Sequence, residues 1–337
     1  MTDNVNRQIR LAARPANYPK ESDFNLAESP IPEPREGEVL VRSIWLSLDP
    51  YQRGRMKADH PYATPMELGQ VIIGGVVGKI VQSRTPAFTV GEIVEGSLGW
   101  QEYAVSNGSD LRRVDPGLGP LSTALGILGM PGMTAYFGFL EVGQPRPGDT
   151  VVVSAASGGV GQVVGQISKI MGCRTVGIAG TAEKIDHIVN ELGFDAGINY
   201  KTENVDSALA KACPLGVDVY FDNVGGVITD AVFDHLNVGA RISICGSISQ
   251  SNQDEPEPGP RKMGLLVGKQ ARAQGFLVGQ FKNRHEEARQ RIAGWIKEGR
   301  IKYREDVVEG LENAPRAFVG LMKGENFGKL LVRLGDE

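Results

Sequence analysis

The chain has 337 residues, 41% of them apolar and 23% charged, with a formal net charge of −4. That length accommodates about two domains with a sizeable core, and the charge argues against nucleic acid as a partner. Three scattered cysteines (Cys173, Cys213, Cys245) argue against a disulfide scaffold and fit a reducing cytoplasm, and residues 1–20 hold no apolar stretch of a signal peptide.

Through about residue 115 the pattern is that of strands. Residues 39–46 (VLVRSIWL) alternate, and residues 71–81 (VIIGGVVGKIV) form an apolar run whose glycines predict bulges or bends in a coiled barrel. Residues 90–94 and 100–105 are shorter candidates, and Pro30, Pro32 and Pro34 mark an exposed connection. Residues 116–140 carry no charge and are long enough for a membrane span, yet they contain three prolines and six glycines. They read as short buried helices at a domain junction, with no membrane involved.

From Gly132 helices and strands alternate. Residues 133–141 read as a helix closed by Gly143, and residues 144–149 as a turn. Val151, Val152 and Val153 have the β-branched character of a strand buried on both faces. The small-residue turn Ala155, Ala156, Ser157, Gly158, Gly159, Val160, Gly161 follows, and then Val164, Ile167, Ile170 and Met171 fall on one helical face. Strand, glycine turn and helix in that order form a phosphate cradle, because backbone N–H groups and the positive end of the helix dipole meet there. The match is A-x-G-x-x-G, with Ala156 in place of the usual first glycine.

Residues 174–179 predict a second strand, 182–192 a helix stopped by Gly193, 196–200 a third strand and 205–212 a helix. Strands at 217–221, 240–245 and 273–278 follow, with a helix to about 236 after the fourth strand and another at 286–298 that carries Trp295 inward. Residues 249–262 read either as a solvated loop or as a lid. Residues 329–334 predict a strand returning to the first domain. Alternation of this kind implies an α/β fold with a doubly wound parallel sheet. The tip of the second strand reads Ala179, Gly180, Thr181, with no acid to accept hydrogen bonds from an adenine ribose, and Lys184 starts the next helix. That end favours a 2′-phosphate, and so NADPH over NADH, with Glu183 required to point away.

The ordered segments AASGGVG, GTAEK, INY, DNVGG, CGSIS, GFLV and ENFGK resemble the medium-chain dehydrogenase/reductase superfamily. More narrowly they are similar to its zinc-independent leukotriene B4 dehydrogenase, prostaglandin reductase and double-bond reductase group. Residues 46–56 (LSLDPYQRGRM), 128–136 (LGMPGMTAY) and 303–320 (YREDVVEGLENAPRAFVG) carry the likeness toward its bacterial NADPH-dependent curcumin reductase branch.

The resemblance implies a GroES-like substrate domain from residues 1–125 and 311–337, a Rossmann NADPH-binding domain from 126–310, a cleft between them, and a homodimer. It implies Ser157, Gly158, Gly159, Val160 and Gly161 at the diphosphate, Lys184 at the 2′-phosphate and Tyr200 on the adenosine side. It further implies Asn223 near the nicotinamide ribose, Cys245, Gly246 and Ser249 along the cofactor, Phe276, Leu277 and Val278 flanking the nicotinamide, and Asn326 closing over it. Asn223 bonding a turn and Phe276 in plain core are the alternatives to those two roles.

Residues 1–125 contain no cysteine and only His60 among histidines, so no metal is assigned. Without a Lewis acid, the chemistry open to such a site is hydride transfer to the β-carbon of an enone or enal, with charge collecting on the carbonyl oxygen as an enolate. Tyr51 matches the group's active-site tyrosine and is the expected side-chain donor, beside the ribose 2′-hydroxyl of the cofactor. Arg53 and Arg55 read as structural or rim charges. Prostaglandin reductases carry a tyrosine before the sixth strand; Gly268 stands near that place here, and residues 265–273 contain no tyrosine. Quinone reduction and a non-catalytic NADPH sensor remain the alternative readings.

Overall fold

The computed structural model describes residues 5–59, 64–253, 255 and 257–337, so that His60, Asp254 and Pro256 lie outside the described residues. They divide into two compact units. One runs to Gly126 and includes Glu305–Asn326 and Leu330–Glu337; the other is Ile127–Arg304 with Phe327–Lys329.

The first unit opens with a hairpin that the sequence pattern did not announce. β1 (Val5–Leu11) pairs antiparallel with β2 (Phe24–Pro30). Its polar composition hides a buried position: Asn6 is fully buried, its Nδ2 donates to the Tyr103 carbonyl (2.9 Å) and its Oδ1 accepts from the Tyr103 N–H (2.9 Å). β3 (Val39–Ser47) lies where alternation placed it. The apolar run at 71–81 becomes strand only from Val76, in β4 (Val76–Ser83). Before it, Gly74 admits the Trp100 indole, which lies 2.9 Å from where a Cβ would stand. β5 (Ile93–Gly96) and β6 (Tyr103–Ser106) begin three residues later than expected, because Gly91 (φ +96°) and Gly99 (φ +80°) turn the chain before them. β7 (Arg112–Arg113) is short. Pro30 is exposed as expected, but Pro34 is buried.

The uncharged stretch breaks into Pro116–Leu118, Leu121–Leu125 and Met130–Phe137, the last running on as a wider turn, Gly138–Gly143. Residues Leu121–Leu125 are all buried. Among the described residues no helix is long and apolar enough to cross a membrane.

In the second unit, β8 (Thr150–Ser154), β9 (Arg174–Ala179), β10 (Ala196–Asn199), β11 (Val217–Asp222), β12 (Leu236–Ile244) and β13 (Arg272–Gly275) form one sheet, ordered β10-β9-β8-β11-β12-β13. Every pairing in it is parallel. Helices Gly161–Ile170, Val205–Ala212, Gly226–Asp234 and His285–Lys297 alternate with the strands, and Trp295 is buried. The helix at Ala182–Asp186 loosens into a wider turn, His187–Glu191, before Gly193. β12 begins four residues earlier than expected, and Ile248–Ser251 adds a helical turn inside the expected loop. β13 stops at Gly275, so Phe276, Leu277 and Val278 stand beyond its end. Val152, Val176, Ile178, Ile198, Tyr220 and Ile242 share the core. The connection order reverses between β8 and β11, and in such sheets ligands bind outside the carboxyl ends of the strands at that point.

The chain returns as β14 (Glu305–Glu309) and β15 (Lys329–Arg333). Leu331, Val332 and Arg333 pair antiparallel with Ser47, Leu46 and Trp45, as the tail strand was expected to do. The first unit's sheet runs β14-β15-β3-β4-β5-β7, with β6 also on β3.

Candidate cofactor site and active-site residues

β8 ends at Ser154 and the chain turns through Ala155, which adopts φ +50°. Ala156 is fully buried, and its N–H donates to the Ile178 carbonyl (3.0 Å). A glycine is dispensable at 156 because the residue facing it is Gly177, where a Cβ would lie 2.8 Å from that of Ala156. Ser157, Gly158, Gly159, Val160 and Gly161 then come together at the start of the ten-residue helix Gly161–Ile170. Its N-cap, Val160, offers no side-chain acceptor; Gln162 and Val163 N–H groups donate to the Gly158 and Val160 carbonyls (3.1 Å each), and the positive end of the helix dipole above them suits an anion. A Cβ on Gly161 would collide with the Ala155 carbonyl. Gly161→Ala is therefore expected to destabilise the unit by about 1–3 kcal/mol, measured by urea unfolding.

The segment 327–329, to which the sequence analysis gave no place in the cofactor site, adjoins this turn. Gly328 N–H donates to the Ser157 carbonyl (3.1 Å), and Lys329 Cδ lies 3.1 Å from where a Gly159 Cβ would be. Asn326 itself is half-buried and counts with the first unit.

At the tip of β9, the Tyr200 ring lies against Gly180: a Cβ there would be 2.9 Å from Cε1 and 3.0 Å from Oη. Thr181 Oγ1 accepts from Lys184 N–H (3.2 Å) and starts the next helix. Glu183 is exposed, while Lys184 is buried. Gly180, Tyr200 and Lys184 thus gather around one strand end that carries no acid.

Beyond β11, Asn223 is tied to β8. Its N–H donates to Ser154 Oγ (2.9 Å) and its Nδ2 to the Ser154 carbonyl (2.8 Å). Cys245 and Gly246 N–H groups both donate to the Asp222 carbonyl (2.8 and 3.1 Å), and Ser249 Oγ donates to the Val224 carbonyl (2.6 Å). Gly225 (φ +72°) and Gly226 (φ +58°) make the turn between these partners possible. The Cys245 thiol is pushed up to about 12, by desolvation first and by Asp222 second. Phe276 has a buried side chain, 6.3 Å from the Phe221 ring and filling the space beside Gly138, while Leu277 is exposed and Val278 half-buried.

In the first unit, Tyr51 opens the short helix Tyr51–Arg55 and is 41% exposed. A closed polar loop presents it. Ser47 Oγ donates to Asp49 Oδ2, Asp49 N–H donates to Gln52 Oε1 (2.9 Å), and Gln52 Nε2 donates to the Ser47 and Ile73 carbonyls (3.1 and 3.0 Å). Desolvation, and then the Asp49 carboxylate, hold the Tyr51 phenol well above its ordinary range. Arg53 is fully buried and donates to the Pro15 and Asn17 carbonyls (3.2 and 2.8 Å), the structural role expected of it. Among the described residues no group of three or more His, Cys, Asp or Glu side chains converges as a metal site.

Residues 7–114 match a family described as the N-terminal domain of oxidoreductase, and residues 159–294 one described as zinc-binding dehydrogenase. The chain is 46% identical to the NADPH-dependent curcumin reductase of Escherichia coli (strain K12), over 98% of each chain. It is 42% identical to the NADP(+)-dependent 2-alkenal reductase of Nicotiana tabacum, again over 98% of each. The chain belongs to the medium-chain dehydrogenase/reductase superfamily. Its first unit is the GroES-like domain and its second the Rossmann domain of that family. The crystal structure of CurA in complex with NADPH from Vibrio vulnificus superimposes with a TM-score of 0.94 at 46% identity, covering 98% of this chain and 100% of that one.

Proposed function

We propose that the protein is an NADPH-dependent reductase of the C=C bond in α,β-unsaturated ketones and aldehydes. The observation that carries this reading is the carboxyl edge of the sheet, where the glycine turn after β8, beside the switch point, neighbours the acid-free tip of β9 with Gly180, Tyr200 and Lys184. The relatives named as curcumin reductase and 2-alkenal reductase support the substrate class.

The residues fit the cofactor. Ser157, Gly158, Gly159, Val160 and Gly161 line the diphosphate at the positive end of the helix, Lys184 and Tyr200 hold the adenosine phosphate end, and Asn223, Cys245, Gly246 and Ser249 hold the nicotinamide end. Leu277 and Val278 flank that end, Phe276 does so through its backbone, and Asn326 belongs to the same set of cofactor residues. When bound, NADPH supplies the hydride that the substrate accepts at its β-carbon. The Tyr51 phenol donates a hydrogen bond to the carbonyl oxygen as it becomes enolate-like. No zinc is assigned to the route, because residues 1–125 contain no cysteine and a single histidine, His60. Mixing protein, NADPH and a panel of conjugated enones and enals tests the reading by loss of reduced-cofactor absorbance. Consumption is expected; turnover of quinones alone, or tight NADPH binding with no turnover, contradicts it.

The partner is a second copy of the chain. β13 is an edge strand with exposed residues, and Met263, Val267 and Leu277 are exposed on the segments that flank it in sequence. A dimer is expected by sedimentation, and Ala273→Pro in β13 is expected to shift it toward monomer. The compartment is the cytoplasm, which suits three unpaired thiols.

A further inference from the structure

Asp222 ends β11, and its carboxylate is buried at 3% exposure. Oδ1 accepts from Tyr220 Oη (3.0 Å), Ser154 Oγ (3.3 Å), Val224 N–H (2.9 Å) and Gly225 N–H (2.9 Å). Oδ2 accepts from Thr229 Oγ1 (2.7 Å). All five partners are donors, which is the pattern of a carboxylate and not of a carboxylic acid. All five are neutral as well, and among the described residues no cation pairs with it. The Gly226–Asp234 helix begins four residues on, and the N–H groups just ahead of it solvate the charge. Isolated buried charges are costly, and most buried carboxylates meet an Arg or Lys. Here only dipoles offset the cost, and the negative charge stays uncompensated at the carboxyl end of the sheet.

Asp222 immediately precedes Asn223, and its own carbonyl holds the Cys245 and Gly246 N–H groups. These are the residues assigned above to the nicotinamide end. Loss of hydride converts a neutral dihydronicotinamide into a cationic ring. We propose that Asp222 is an electrostatic residue of this site, whose unpaired carboxylate favours the oxidised, cationic cofactor over the reduced one. The inference rests on the NADPH reading of the site. It assigns Asp222 a task beyond holding the turn, because a purely structural role would affect both redox forms alike.

Asp222→Asn separates the two roles. The amide oxygen can keep the four Oδ1 contacts. The amide nitrogen then faces Thr229 Oγ1, which can accept because its other contact, with Tyr220 Oη (3.1 Å), works with either hydroxyl as donor. Dissociation constants for NADPH and NADP+ are measured on the purified full chain by cofactor fluorescence and by competition. In Asp222→Asn the NADP+ constant is expected to rise about tenfold, the order expected for a unit charge in an effective dielectric of about 20, with the NADPH constant changed less than about threefold. Thr229→Lys, at a half-buried position, sets an ammonium beside Oδ2 and is expected to shift the ratio in the same direction with Asp222 intact. It also decides the matter if the Asn variant does not fold. An unchanged ratio, or equal weakening of both forms, overturns the inference. Failure of the wild-type chain to bind either form instead overturns the NADPH reading, and this inference with it.

Discussion

Tyr51→Phe is expected to lower kcat/KM for a conjugated enone about 100-fold, while NADPH affinity changes less than about twofold. Removing one donor to a developing oxyanion costs a factor of roughly 10²–10³. The substitution keeps the ring and removes only the O–H. Folding is expected to be unaffected, because the polar loop that sets the helix is built from Ser47, Asp49 and Gln52 rather than from the phenol. The pH profile carries a second signature. Desolvation and the Asp49 carboxylate raise the phenol's pKa, so the neutral donor form persists above the ordinary tyrosine range. Wild-type kcat is therefore expected to show no loss attributable to Tyr51 up to about pH 9. Steady-state kinetics against pH on both proteins checks this. An unchanged kcat in Tyr51→Phe would reduce Tyr51 to a packing residue.

Lys184→Ala is expected to weaken NADPH binding about 10–100-fold and to leave NADH binding nearly unchanged. A hydrogen bond to a charged partner contributes about 1.5–3 kcal/mol, and each 1.4 kcal/mol is a factor of ten in the dissociation constant. The tip of β9 supplies no acid that would favour NADH in its place, and Glu183 is exposed. Titration of both cofactors by fluorescence gives the two constants. A parallel loss for NADH would mean that Lys184 supports the helix start rather than the phosphate.

The second unit was legible because its signals are local. Three valines, a glycine turn and an apolar helical face announce β8 and the helix after it, and β9 and the helix Val205–Ala212 fall on their expected residues. What escaped depends on distant partners. The β1–β2 hairpin reads as polar because Asn6 is satisfied by Tyr103, nearly a hundred residues away. The alanine at 156 looks like a defect until Gly177 is found opposite it. Phe276 reads as a cofactor neighbour, but its ring fills the space beside Gly138, so only its backbone is left for that role. Gly328 and Lys329 reach the glycine turn from the far end of the chain, and no local pattern links them to it. Asp222 appeared only as the first letter of DNVGG, and its burial follows from side chains on three separate elements.

The most direct test of enone reduction uses NADPH carrying deuterium at the transferable position of its nicotinamide, with a conjugated enone as substrate and mass and NMR analysis of the product. A saturated ketone bearing one deuterium on the former β-carbon is the expected result. Deuterium on a carbinol carbon, with the C=C bond intact, would contradict it.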